Sequence, residues 1–77
     1  MGLFGGKTET VKTLYKLEDS YHPSMDRVIH QIYSTMGIKG VRFQGLTIVE
    51  IEYDPSRLTS SDVDRLLITG LRAMPKS

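Results

Sequence analysis

The sequence predicts an α+β domain in which two amphipathic helices cover one face of an antiparallel sheet. Three observations carry this prediction. Segments with period-2 alternation, such as Thr8 to Leu17 and Thr47 to Tyr53, are interleaved with two segments of helical spacing, Met25 to Met36 and Val63 to Met74. Gly or Pro punctuates the junctions at Pro23, Gly37, Gly45, Pro55 and Pro75. The 77 residues are enough for one domain with one core.

The elements follow in order. In Thr8 to Leu17, Val11, Thr13, Tyr15 and Leu17 share one face, with Lys12, Leu14 and Lys16 on the other. β-Branched and aromatic residues at that spacing indicate a strand. Glu18-Asp19-Ser20 breaks the pattern as a loop. Pro23 suits a first helical turn, and Asp26 complements the positive end of the helix dipole. Met25, Val28, Ile29, Ile32, Tyr33 and Met36 then form a helical stripe that Gly37 stops. Val41 and Phe43 alternate with Arg42, Gln44-Gly45 turns the chain, and Val49, Ile51 and Tyr53 oppose Glu50 and Glu52, which together predict a hairpin. Asp54-Pro55-Ser56 is a turn, and Thr59 to Asp62 has capping-box spacing. Val63, Leu66, Leu67, Gly70, Leu71 and Met74 form the second helical stripe, ended by Pro75. The order β-α-β-β-α is the ferredoxin-like arrangement with its final strand short or missing. Ile32, Ile51 and Leu67 sit mid-stripe and are the expected core. The expected organisation is a flexible leader over 1–7, one domain over 8–74 and a tail over 75–77.

Composition excludes much chemistry. There is no cysteine, so disulfides, thiolate ligands and cysteine nucleophiles are out. Ten basic residues nearly balance nine acidic ones without a basic run, which argues against nucleic-acid binding. No apolar stretch approaches the ~20 residues that span a bilayer. The first residues, Met1-Gly2-Leu3-Phe4-Gly5-Gly6-Lys7, match neither a signal peptide nor a myristoylation pattern, and Leu3 and Phe4 are candidates for touching a partner or a membrane surface. The expected setting is cytoplasmic.

From Thr10 to about Leu71 the chain resembles the heavy-metal-associated domain of copper chaperones and metal-pumping ATPases. The resemblance rests on Gly37-Ile38-Lys39-Gly40-Val41-Arg42-Phe43, on Val49-Glu50-Ile51-Glu52-Tyr53-Asp54-Pro55 and on Leu58-Thr59-Ser60-Ser61-Asp62-Val63. That family carries Gly-Met-x-Cys-x-x-Cys between its first strand and first helix, where two thiolates hold a soft cation such as Cu(I). Aligned by the helix stripe, with one deletion before Gly37, the two cysteine positions fall on His22 and Met25. Without the deletion they fall on Tyr21 and Ser24. The resemblance thus implies a small metal-binding or metal-transfer domain that uses His22 and Met25, with copper as the candidate ion.

The residues themselves also admit plainer roles. Met25 can be the first core residue of its stripe, and His22 a capping residue of the helix. His30 lies on the polar face of that helix. Tyr15, Phe43 and Tyr53 share the phase of the apolar strand positions, so they read as core rather than as a base-stacking platform. Glu50 and Glu52 are expected to pair across strands with Lys12, Lys16 or Arg42. No catalytic constellation is present, so the chain is not expected to be an enzyme. The alternative function is a degenerate interaction or assembly module that binds no metal. With few residues after Met74, the strand from Thr8 to Leu17 would expose one edge. Lys12 and Lys16 can guard that edge, a short tail can cover it, or it can pair with a second copy or a partner protein.

Overall fold

The computed structural model describes residues 9–76. The expected leader, with Leu3 and Phe4, and the first position of the expected strand, Thr8, lie outside the described residues. Among the described residues seven elements follow one another: β1 (Val11–Leu17), a 3₁₀ turn η1 (Pro23–Met25), α1 (Asp26–Tyr33), β2 (Ile38–Gln44), β3 (Ile48–Tyr53), α2 (Ser60–Leu71) and β4 (Ala73–Pro75). The strands form one antiparallel sheet in the order β2-β3-β1-β4. This is a βαββαβ, ferredoxin-like α+β domain with a short final strand.

Alternation sets the layers. Tyr15 and Leu17 on β1, Val49, Ile51 and Tyr53 on β3, and Ala73 on β4 are buried under the helices. Ile32 of α1 and Val63, Leu67 and Leu71 of α2 meet them from above. The three expected core residues are among the buried set, with Ile51 and Leu67 at 0% exposure. Lys12, Lys16 and Arg42 are exposed on the other face. Glu52 stands opposite Lys12, and Glu50 opposite Arg42. The expected ion pairs do not close, however. Among the described residues the one side-chain ion pair is Arg57 with Asp54, at 3.9 Å. Glu52 instead accepts a hydrogen bond from the Thr10 hydroxyl.

Both helices end earlier than their apolar stripes. The α1 stripe was expected to reach Met36, but the hydroxyls of Ser34 and Thr35 donate back to the carbonyls of His30 and Gln31, at 2.8 and 3.1 Å, and the chain turns at Gly37. Gly37 has φ +102°, the conformation its place after the helix called for. Met36 is therefore exposed, and its sulfur accepts from Nη1 of Arg57 at 3.3 Å. The α2 stripe was expected to reach Met74, but Arg72 takes φ +55° and closes the helix at Leu71. Met74 and Pro75 then enter β4 opposite Lys16 and Tyr15. Pro75 ends a strand, not a helix.

Three polar devices fix the joints. Thr59 and Asp62 form the full capping box of α2, with reciprocal hydrogen bonds of 3.0 and 3.1 Å. The buried Asp54 carboxylate accepts from both the amide and the hydroxyl of Ser56, while its own amide donates to the Gly37 carbonyl at 2.8 Å. The buried Tyr15 phenol donates to Asp64 at 2.6 Å, tying β1 to α2, and burial together with that carboxylate pushes its pKa well up. At Gly70 a Cβ would stand 2.9 Å from Val28 Cγ1, so this glycine sets how closely the two helices approach.

Two outcomes are expected. Ile51→Ala should cost about 2–5 kcal/mol in chemical denaturation, because the side chain is fully enclosed, whereas Glu50→Gln should cost far less. Equal melting temperatures for the two would mean that the faces of β3 are reversed. The carboxyls of Asp54 and Asp62 are held below the ordinary carboxylate range by their hydrogen bonds to Ser56 and Thr59. A group depressed in the folded state stabilises fully above its unfolded pKa of about 3.9 and loses that contribution as pH falls through its folded value. Stability should therefore drop below about pH 4, and Asp54→Asn should make the drop shallower. An unchanged acid slope in that variant would exclude Asp54 as a source.

Candidate functional site

The segment between β1 and α1 is stitched to the β2–β3 turn. The Leu17 amide donates to the Thr47 carbonyl at 2.7 Å, and the Tyr21 amide to the Leu46 carbonyl at 2.6 Å. Glycine at 45, with φ +77°, makes that turn possible. Tyr21 packs edge-on against Phe43, with ring centroids 5.1 Å apart. Its hydroxyl donates to the Asp26 carboxylate, which raises the phenol's pKa above its ordinary value. Tyr21, Asp26, Ile29, Phe43 and Gly45 together enclose an open apolar cavity of about 280 Å³.

His22 and Met25 occupy opposite ends of the next turn. His22 is extended, at φ −139° and ψ 143°, and caps η1: its Nδ1 accepts from the Ser24 amide at 3.1 Å. The Ser24 hydroxyl lies 3.0 Å from the same nitrogen. The His22 carbonyl accepts from the Met25 amide at 2.8 Å. Met25 is half-buried and packs against the core cluster. The arrangement has a chemical consequence for metal binding. While Nδ1 accepts a hydrogen bond, the neutral ring carries its proton on Nε2, the nitrogen that faces away from the cap. A metal at Nε2 requires that proton to move, and a proton on Nδ1 would break the cap. Drawing the Met25 thioether toward a metal would likewise take it out of the apolar packing.

Among the described residues no group of three His, Asp or Glu side chains stands close enough to hold a metal ion. His30 is exposed on α1. The alternative pair, Tyr21 and Ser24, is engaged with Phe43 and Asp26 in one case and with His22 in the other.

The sheet edges were the less visible feature in the sequence. In an antiparallel ladder both main-chain groups of a residue point to the same side, and the side alternates along the strand. The Leu17 amide points toward the β3 side and the Leu14 carbonyl accepts from Lys76 at 2.9 Å on the β4 side. Odd residues of β1 therefore face β3, and even residues face outward. β4 covers β1 only from Tyr15 to Leu17, plus the Leu14 carbonyl. Among the described residues nothing pairs with the outward groups of Thr10 and Lys12. By the same parity, Gly40, Arg42 and Gln44 of β2 face β3, and Val41 and Phe43 turn their main-chain groups outward.

No protein-family model matches the chain, and neither does any curated protein or solved structure.

The His22 cap and the packed Met25 thioether lead to one expectation. In competition with a high-affinity Cu(I) chelator, the protein should give up all its copper. Stoichiometric retention, abolished in the His22→Ala, Met25→Ala double variant, would make this turn a metal site.

Proposed function

We propose that this chain is a polypeptide-binding and assembly module that works through main-chain pairing at its sheet edges, with β1 joining a second copy of itself. The observation that carries the reading is the incomplete cover of β1. β4 reaches only its second half, and Pro75 leaves that short strand without a donor at its end. Continued pairing is thereby confined to the first half of β1, at Thr10 and Lys12.

The register follows from charge and space. Two-fold antiparallel pairing centred on Lys12 would set two ammonium groups face to face, which is unfavourable. Centring it on Val11 places Thr10 opposite the partner subunit's Lys12 and stacks the two valines. Val11 is 39% exposed, so this contact adds apolar burial to the hydrogen bonds. Pairing runs no further than Lys12, because Lys76 already occupies Leu14. The contact is short, and association is correspondingly weak.

A metal-carrying function through His22 and Met25 is the competing reading. It requires the loop to give up its cap and its packing, and the copper competition separates the two.

Sedimentation at high micromolar concentration is expected to show self-association that Lys12→Pro abolishes. The Lys12 amide points outward, so its loss leaves the β1–β3 ladder and the melting temperature nearly intact. Thr13 is unsuitable for this test, since its amide faces β3. A purely monomeric unmodified protein would overturn the self-association.

A further inference from the structure

The turn after α1 and the turn after β3 are clasped together at one corner of the domain. The Asp54 amide donates to the Gly37 carbonyl at 2.8 Å, and a Cβ at Gly37 would stand 2.9 Å from Leu58 Cγ and 3.1 Å from Arg57 Cβ. Arg57 reaches across this corner. Its Nε lies 3.9 Å from the Asp54 carboxylate, and its Nη1 donates to the sulfur of Met36 at 3.3 Å. A thioether is a weak acceptor, so the guanidinium makes little of this contact. Met36 is also the most open of the three methionines among the described residues. It is 73% exposed, against 57% for Met74, while Met25 is half-buried against the core. It is the one methionine among the described residues whose sulfur has a donor. A thioether open to solvent is the kind that oxidants reach, and oxidation to the sulfoxide turns a weak acceptor into a polar, strong one.

We propose that Met36 is a reversible oxidation site and that Arg57 is the receptor for its sulfoxide oxygen. The oxidant is a hydroperoxide, hydrogen peroxide in the simplest case. A lone pair of the Met36 sulfur attacks one peroxide oxygen, and the S–O bond forms as the O–O bond breaks. The hydroxide that leaves takes the proton from the transferred oxygen and departs as water. The sulfur loses two electrons and the peroxide gains them. Arg57 engages one sulfur lone pair, so the other takes the oxygen. Rotation about the exposed Cγ–Sδ bond then turns the oxygen toward Nη1. The Arg57 side chain is 56% exposed and has room to shift, so that it donates to the oxygen at about 2.9 Å. The new hydrogen bond is charge-assisted. It holds Arg57 between the sulfoxide and the Asp54 carboxylate, and so tightens the clasp between the two turns. Oxidation of Met25 would have the opposite effect, because it would place a polar group in the core packing. Sulfoxide reductases restore the thioether, which makes the change a switch in the stiffness of this corner. None of this depends on pairing at the sheet edges.

The test treats the full chain with hydrogen peroxide and maps the products by mass spectrometry. Met36 should be oxidised at least as fast as Met74 and about tenfold faster than Met25. In the oxidised chain the Arg57 side-chain N–H signals should shift in NMR, and hydrogen exchange of the Asp54 amide should slow about threefold. A pair of methionine sulfoxide reductases of opposite epimer preference should reverse both changes. Met36→Leu, treated in the same way, should show neither change, which separates Met36 from the other methionines. In Arg57→Leu, checked for its melting temperature, Met36 should still be oxidised but the Asp54 amide should not slow. Oxidation of Met25 ahead of Met36 overturns the proposal. So does slowing of the Asp54 amide that survives in Arg57→Leu. Unchanged exchange in the Met36 sulfoxide removes Arg57 as the receptor. Faster exchange with a lowered melting temperature makes Met36 a site of damage and overturns the switch.

Discussion

The burial of one face of β3 is the constraint on which the rest of this domain depends. Val49, Ile51 and Tyr53 stand beneath both helices, and the strand is hydrogen-bonded on both sides, to β1 and to β2. Side chains alternate along a strand, so a one-residue slip would carry Glu50 and Glu52 into the core. That penalty locks the register of both neighbours at once. It also decides which main-chain groups of β1 and β2 point inward, and therefore which remain at the edges. The edge groups proposed above for pairing are in this sense a by-product of the alternation that makes the core.

The turn between β1 and α1 illustrates a conflict between positioning and ligation. In a metal-carrying loop the ligands must be held near each other with their lone pairs unoccupied. Here the His22 imidazole supplies the hydrogen-bond acceptor that starts the 3₁₀ turn, and Met25 supplies apolar contact where the helix meets the core. Both side chains thereby stabilise the path of the chain. Tyr21 adds a third fixed point, held by Phe43 on one side and Asp26 on the other. The order of this segment comes from hydrogen bonds and packing within the chain itself.

The two sheet edges are managed differently. On the β4 side, a strand of three residues ends at proline, and Lys12 and Lys16 stand along the neighbouring strand, all of which discourage indiscriminate pairing. On the β2 side the pairing with β3 is irregular between Ile38 and Gly40 and regular from there to Gln44, and Phe43 lines the apolar cavity beside Tyr21 and Ile29. The first edge is guarded except for a short window. The second has no paired neighbour among the described residues.

The sequence by itself determined the class of the fold, the faces of β1 and β3, the core at Ile32, Ile51 and Leu67, the turn at Gly37 and the cap at Thr59 and Asp62. These are local matters: periodicity, the steric freedom of glycine and the reach of a short polar side chain. It also held both roles of His22 and Met25 open, because residue type alone does not say whether a nitrogen is engaged. Tertiary structure decided where the helices stop, since Met36 and Met74 continue the apolar spacing while Ser34, Thr35 and Arg72 turn the backbone. It decided that Met74 and Pro75 pair with β1, an arrangement that depends on where α2 delivers the chain. The cross-strand neighbours of Glu50 and Glu52 followed from the register, but the side chains closed no ion pair there. The apolar cavity beside Phe43 was illegible in the sequence because Tyr21, Ile29 and Phe43 belong to three separate segments and meet only when α1 is laid against the sheet.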